Sequence, residues 1–349
     1  MVRLLTYEEI DREEWKNLVT ESRTGTWFQS PEAYRLFASM PELFRPFAIA
    51  VERVNELTNE RTLCGVCVGY VTKEKGWLKQ FFTRRAIIQG GPVLANDASS
   101  EEVELLMLAV RQQFEILDLR FQILESPIYI ETRNFEDYSQ WKDGFERAGF
   151  TYQKHLNFHI DCTDKERMWE RLSETRRRQI RRVTNERVSE LVNERVSELE
   201  IRDWYKILER LYRTKVKTPL FPLEFFLEAY RQGIAKYLLV KHEGKVIGGM
   251  MIVSSSSCVY EWYICGLDTE YKDQYPSVMA TWAAMEFANK HGLARFDVMG
   301  AGVPGVPYGV RDFKAEFGGK LVEQGRWIAI TKPLLYKIGV LVVRLMKRL

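Results

Sequence analysis

Two segments of this chain read alike. FERAGFTYQKHLNF at 145–158 and FANKHGLARFDV at 287–298 each run from an amphipathic pattern through a glycine into an alternating, strand-like stretch. A helix stopped at glycine and followed by a strand is part of a strand–helix–strand unit. Around each segment the same order recurs. In the first half RPFAIAVER and LCGVCVGYV read as a strand pair. They are followed by a helix from Ser99 to about Glu115, a strand in SPIYIETR, a helix in DYSQWKDGFERAGF and a strand in HLNFHIDC. In the second half KYLLVKHEGKVIGGMMIVSS is a hairpin turning at His242-Glu243-Gly244-Lys245. CVYEWYICG is the next strand, a helix spans 277–291 with Gly292 as its stop, and ARFDVMG closes the order. A chain that repeats one α/β order is constrained to two domains of similar fold. Its 349 residues agree, because single cores stop growing at roughly 250–300 residues.

The division drawn from these patterns is an N-terminal domain at 1–155, a C-terminal domain at 156–332 and a basic amphipathic tail at 333–349. Between the halves lies an eight-residue tandem repeat, NERVSELV at 185–192 and NERVSELE at 193–200. Val188, Leu191, Val192, Val196 and Leu199 fall on one helical stripe through both copies, with Arg195 between them, so the expectation is one lengthened basic helix over 173–200.

Charge and cysteine content remove several functions. Fifty-one basic residues against 48 acidic ones leave a net charge of +3, so an anionic partner must be met by a local patch rather than a global field. Cys64, Cys67, Cys162, Cys258 and Cys265 are scattered, without a second C-x-x-C or a histidine at ligand spacing, and read as buried thiols rather than metal ligands. No metal is expected. MVRLLTYEEIDREEW carries no apolar signal core and the run at 338–343 is too short to span a bilayer, which together suggest a cytoplasmic protein.

FDVMGAGVPGVPYGVRDFKAEFGGK at 296–320 contains Gly300, Gly302 and Gly305 in the G-x-G-x-x-G spacing. A phosphate cradle needs free amides opening a helix. Pro304 and Pro307 flank Gly305, remove amide donors and bias their predecessors away from helix. A loop after a buried strand is the better reading. Asp297, at the end of that strand, could orient or deprotonate an attacking group or could cap the loop through local amides. RRRQIRR places five guanidiniums within seven residues. On a helix Arg177 and Arg181 share one face and Arg178 and Arg182 the next, so the run is either a phosphate clamp or a solvated face.

The tandem order, EGKVIGGMMIV, RRRQIRR at the head of the second half, TWFQSPEAYRLF near the start and FDVMGAG followed by YGVRDFKAEFGG together resemble the FemABX peptidoglycan aminoacyltransferases. The resemblance covers nearly the whole chain, and F-K-x-x-F-G-G is its most specific part. It implies an α/β (α+β) protein of two tandem GNAT-like acyltransferase domains, with an extended helix at the start of the second. It also implies transfer of an aminoacyl group from aminoacyl-tRNA to an amine of a peptidoglycan precursor, nucleotide- or lipid-linked, without a cofactor.

Carried onto this sequence, the resemblance implies that Lys314 stabilises the developing oxyanion and that Phe313, with Phe317 beside it, binds the donor. Arg177, Arg178, Arg181, Gln29 and Tyr263 would serve the acceptor and its phosphates. The alternative for Lys314 is a solvated helix lysine. The opening departs from the family pattern, since no lysine follows Gln29 closely and Arg35 is the nearest basic residue. The tail, with Lys332, Lys337, Arg344, Lys347 and Arg348 among apolar residues, suits peripheral contact with an anionic inner membrane face or docking on the second domain.

Two rivals stand beside this reading. One is an acyl-CoA-dependent N-acyltransferase acting on a surface sugar or amino acid. Against it, LDTEYKDQYPS before the second-half helix has no glycine and carries Pro276 where a pyrophosphate needs free amides. The other is a noncatalytic precursor-binding protein that keeps the fold.

Overall fold

A computed structural model describes residues 2–73, 84–119, 126–186, 190–192 and 196–346. The chain divides into two compact units, residues 1–155 with 324–349, and residues 156–323.

The first unit contains β1 (Val2–Thr6), α1 (Arg12–Glu21), α2 (Pro31–Ala38), β2 (Phe44–Val54), β3 (Arg61–Thr72), β4 (Ala86–Gly90) and β5 (Val93–Leu94). It continues through α3 (Ser100–Leu119), β6 (Tyr129–Asn134), α4 (Lys142–Arg147) and β7 (Thr151–Gln153). The second contains β8 (Leu156–Asp161), α5 (Lys165–Arg171), α6 (Glu174–Glu186), β9 (Glu190–Val192), α7 (Glu198–Leu211), α8 (Leu223–Arg231), β10 (Lys236–His242) and β11 (Lys245–Ser254). β12 (Cys258–Gly266), α9 (Pro276–Lys290), β13 (Arg295–Asp297), α10 (Gly309–Ala315) and β14 (Lys320–Glu323) complete it. β15 (Arg326–Ile330) and α11 (Pro333–Met346) return to the first unit.

The sheet orders are β1-β2-β3-β4-β6-β15-β7, with β5 on β3, and β14-β8-β13-β12-β11-β10-β9. In each sheet an antiparallel hairpin leads to a third antiparallel strand, and a helix then crosses to a parallel partner, β4 to β6 through α3 and β12 to β13 through α9. The two alike segments perform the same local task. Phe150 N donates to Phe145 O and Gly149 N to Glu146 O, and Leu293 N donates to Ala288 O and Gly292 N to Asn289 O. Both are helix ends closed by a left-handed glycine, with φ +81° and +68°, a conformation that glycine adopts without the Cβ penalty.

The strands that follow β7 and β14 change sheets. β8 pairs with β13 and β14, while β15 lies between β6 and β7. Residues 324–332, assigned by sequence to the C-terminal domain, therefore carry a strand of the first sheet. Strand pairing, not chain order, sets that membership: Trp327 is buried and stacks on Phe145 at 4.8 Å with the planes 7° apart. Val103, Leu106, Val110 and Phe114 of α3 face the same core.

The expected continuous helix over 173–200 is interrupted. α6 ends at Glu186, β9 adds antiparallel to β10 through Leu191↔Val240 and Val192↔Leu239, and α7 begins at Glu198. Residues 187–189 and 193–195 of the duplication lie outside the described residues. The copies differ only at their last position, Val192 against Glu200. In the second copy the Ser197 side chain accepts from Glu200 N while Glu200 accepts from Ser197 N at 2.7 Å. This reciprocal cap starts a helix, whereas valine cannot accept and suits an edge strand.

The second sheet is covered on one face by α5, α6 and α9, whose Met168, Ile180, Val183 and Met285 join Val259, Met250 and Phe296 in one core. Against the other face, Trp204 of α7 and Phe226 of α8 pack on Tyr237 and Tyr263.

Candidate active site at a forked pair of strands

The ladder between parallel strands β12 and β13 holds three residue pairs, Cys258↔Arg295 to Tyr260↔Asp297. β13 stops there, while β12 continues to Gly266 paired only with β11. The strands thus part at their carboxyl ends, and in open α/β sheets such a fork is where ligands bind. β12 also carries a bulge: Ile252 faces Glu261 and Met251 faces Tyr263, leaving Trp262 extra. The sequence alternation puts Tyr260 with Trp262 and Tyr263 opposite. The bulge overrides it, sending Trp262 onto Phe225 and Tyr263 onto Phe226 of the same helix, α8. Tyr263 is thus part of an aromatic cluster and stands partly exposed.

Lys314 spans the fork from α10. It is 7% exposed, so it is not a solvated surface lysine. Its Nζ lies 2.8 Å from Glu261 Oε1 on β12 and donates to Val298 O at 2.6 Å and Gly300 O at 3.1 Å on the segment leaving β13. Three acceptors match the three N–H groups of an ammonium. Burial raises the Glu261 carboxyl above its ordinary range, Lys314 pulls it back, and the charge of Asp297 pushes it up again.

Asp297 is fully buried. Its Oδ1 accepts from Met299 N at 2.7 Å and from Asn157 Nδ2 at 2.8 Å, while Asn157 Oδ1 accepts from Gly300 N at 2.8 Å. One oxygen therefore caps the loop. The other, Oδ2, faces Nε2 of His159 across the β13–β8 ladder at 3.2 Å.

The loop after β13 is a carbonyl-lined turn rather than a phosphate cradle. Arg311 donates to the carbonyls of Ala301 (2.7 Å), Val303 (2.6 Å) and Val306 (3.1 Å). With the two taken by Lys314, five loop carbonyls face cations, the opposite polarity from an anion site.

Phe313 and Phe317 lie 5.3 Å apart, Phe317 buried and Phe313 partly so. The Arg176 guanidinium covers both, at 4.6 Å from the Phe313 ring and 5.5 Å from that of Phe317, and its Nε is 3.3 Å from Glu316 Oε2. Burial lowers the Arg176 pKa. This interior member of the arginine run binds the aromatic pair to α6. Arg178 and Arg181 are exposed and Arg177 partly so; Arg181 rests on Trp169 at 5.2 Å, and Arg182 pairs with Asp273. Gln29 belongs to the first unit, fully buried, donating to Val68 O (3.0 Å) and Gln89 O (2.8 Å) and accepting from Val68 N (2.8 Å). Its hydrogen bonds link strands β3 and β4.

Glu261 and His159 were not singled out from sequence as site residues. Glu261 sits inside an apolar strand, CVYEWYICG, and an acid there is a visible signal because buried carboxylates are rare unless paired. His159 carries no such signal, since its partner is 138 positions away (Asp297) and is met only through strand pairing. Among the described residues there is no group of three or more His, Cys, Asp or Glu placed to hold a metal.

Residues 157–315 match the Acetyltransferase (GNAT) domain family. The second unit thus resembles that domain, and the first repeats its strand order, so the fold is that of two tandem GNAT-like domains. This fold is shared by the crystal structure of FemX, with TM-score 0.68 and 14% identity over 96% of this chain and 99% of that one. L-PGS from Bacillus licheniformis aligns with TM-score 0.56 and 13% identity over 97% of each chain. A tandem GNAT protein from the clavulanic acid biosynthesis pathway aligns with TM-score 0.55 and 10% identity over 94% and 98%. No curated protein sequence matches the chain. The tandem GNAT architecture implied by the FemABX resemblance is therefore the architecture found.

Proposed function

We propose that this protein transfers an aminoacyl group from aminoacyl-tRNA to an amine of a peptidoglycan precursor peptide. The observation that carries the reading is the strand fork spanned by Lys314. Attack of the amine on the donor ester forms a C–N bond and places negative charge on the carbonyl oxygen. Expulsion of the ribose oxygen then completes the exchange. Lys314, oriented by Glu261, meets the developing oxyanion in place of Gly300 O, its longest contact, and a preorganised cation there contributes several kcal/mol. The His159–Asp297 pair receives the proton released by the amine and returns it to the leaving oxygen. Phe313 and Phe317 serve the donor end, with Arg176 fixing their placement. Arg177, Arg178 and Arg181 offer guanidiniums to acceptor phosphates.

An acyl-CoA donor is the second reading, and one contact weighs against it. α9 opens with Pro276, which has no N–H, and the Asp268 carboxylate accepts from Ser277 N at 3.0 Å and Ser277 Oγ at 2.5 Å. A carboxylate thus occupies the helix end where a pyrophosphate would bind. Among the described residues no helix is long and apolar enough to cross a membrane. Peripheral contact through α11, where Leu334 and Ile338 are exposed, belongs to the same proposal, as does a cytoplasmic site of action.

The test is single-turnover transfer from pooled radiolabelled aminoacyl-tRNAs to muramyl-pentapeptide precursor, beside a parallel acetyl-CoA reaction, with wild type and Lys314→Ala. Transfer from tRNA that collapses in the variant is expected. Turnover with CoA alone moves the protein to the second reading, and precursor binding with silence in both reactions moves it to a binding role.

A further inference from the structure

The first unit holds a concentration of positive charge that the transfer reaction does not use. Glu131 and Arg133 on β6, Arg326 on β15 and Arg85 at the head of β4 lie on one face of the sheet by strand alternation and register. The opposite face carries Ala86, Ile88, Ile130, Trp327 and Ala329 into the core. Glu131 Oε1 alone receives Arg133 Nε at 2.7 Å and Arg326 Nη1 at 2.8 Å. Arg326 Nη2 lies 3.1 Å from His155 Nε2. The Nε atoms of Arg85 and Arg326 are buried without a hydrogen-bond partner.

Three guanidiniums therefore surround one carboxylate, an excess of two positive charges on a partly buried surface among the described residues. Arg53 on β2, by contrast, is met by both Glu102 and Asp97. Uncompensated buried charge is costly unless a counter-ion joins it, and forked guanidiniums match the oxygens of phosphate and carboxylate.

We propose that Arg85, Arg133 and Arg326 form an anion-binding site on the first unit that takes a phosphate or carboxylate group. The inference is independent of the transfer reaction. Arg85 supplies the N–H left without a partner, Arg326 a second, and Glu131 holds the other two guanidiniums in position.

The test is isothermal titration of the full-length protein with two probes at constant ionic strength: inorganic pyrophosphate, and acetyl-Gly-Gly with its free carboxylate. Saturable binding of one or both is expected, and the probe that saturates distinguishes a phosphate source from a peptide terminus. Arg85→Gln should weaken it about tenfold, the loss of one charge-assisted contact, with little change in Tm, because among the described residues Arg85 makes no direct ion pair and its Nε no hydrogen bond. Glu131→Gln, which removes the competing carboxylate, should strengthen binding even as it lowers stability. A wild type that saturates with neither probe, or an Arg85→Gln protein that binds like wild type, overturns the proposal.

Discussion

Lys314 and Glu261 face each other at 2.8 Å across the fork, with side-chain exposures of 9% and 6%. Neither charge can be left alone there without a large desolvation penalty. The pair therefore holds the lysine in place and stabilises the strand arrangement at the same time. This dual role shapes the first prediction.

Lys314→Ala strands a buried carboxylate and should cost about 3–5 kcal/mol in urea unfolding, the range for breaking a buried pair. Lys314→Met combined with Glu261→Gln should recover much of that loss, because neither charge remains. Transfer should stay abolished in the double variant. Recovery of both stability and transfer would remove Lys314 from the chemistry.

Glu200 is held down to about 2 by its bond to Lys241 and by the Ser197 backbone amide. A carboxylate depressed in the folded state contributes stability that is present above its ordinary value of 4.5 and is lost as pH falls toward the folded value. Wild type should therefore lose stability between about pH 4.5 and 2 more steeply than Glu200→Gln. Chemical denaturation across that range checks it, and parallel curves would count against the bond.

Gln29→Ala removes both donors and the acceptor of a buried amide that joins β3 to β4. A cost of about 2–4 kcal/mol is expected from the unsatisfied backbone groups left behind. KM for the acceptor should not change once the assay is run well below the melting transition. A raised KM at full stability would return Gln29 to the acceptor site.

Trp327→Ala leaves a void against Phe145 and should cost about 3–5 kcal/mol. Because β15 pairs with β6 and β7, hydrogen exchange should quicken at Tyr129–Asn134 and Thr151–Gln153 and stay slow at Cys258–Gly266. Loss of protection confined to the second sheet would contradict the strand exchange.

Much of this organisation is legible in the chain. The repeated glycine-stopped helices, the hairpins and the F-K-x-x-F-G-G segment report local chemistry, which sequence encodes directly. The same chemistry explains the partial success at the tandem repeat. The expected helical stripe is broken: Glu190–Val192 pairs with β10, a Ser197–Glu200 cap starts a new helix at Glu198, and Leu199 is exposed.

Sequence alone determined that there are two α/β units, where most strands and helices lie, and that Lys314 and Asp297 stand beside a loop rather than a nucleotide cradle. Each follows from periodicity, turn residues and proline placement, all local quantities. Tertiary structure alone decided that β15 belongs to the first sheet and that Lys314 is buried against Glu261. It also decided that Asp297 meets His159 and that three arginines crowd one glutamate. Those relationships join residues tens to hundreds of positions apart, and strand register, the β12 bulge and burial bring them together.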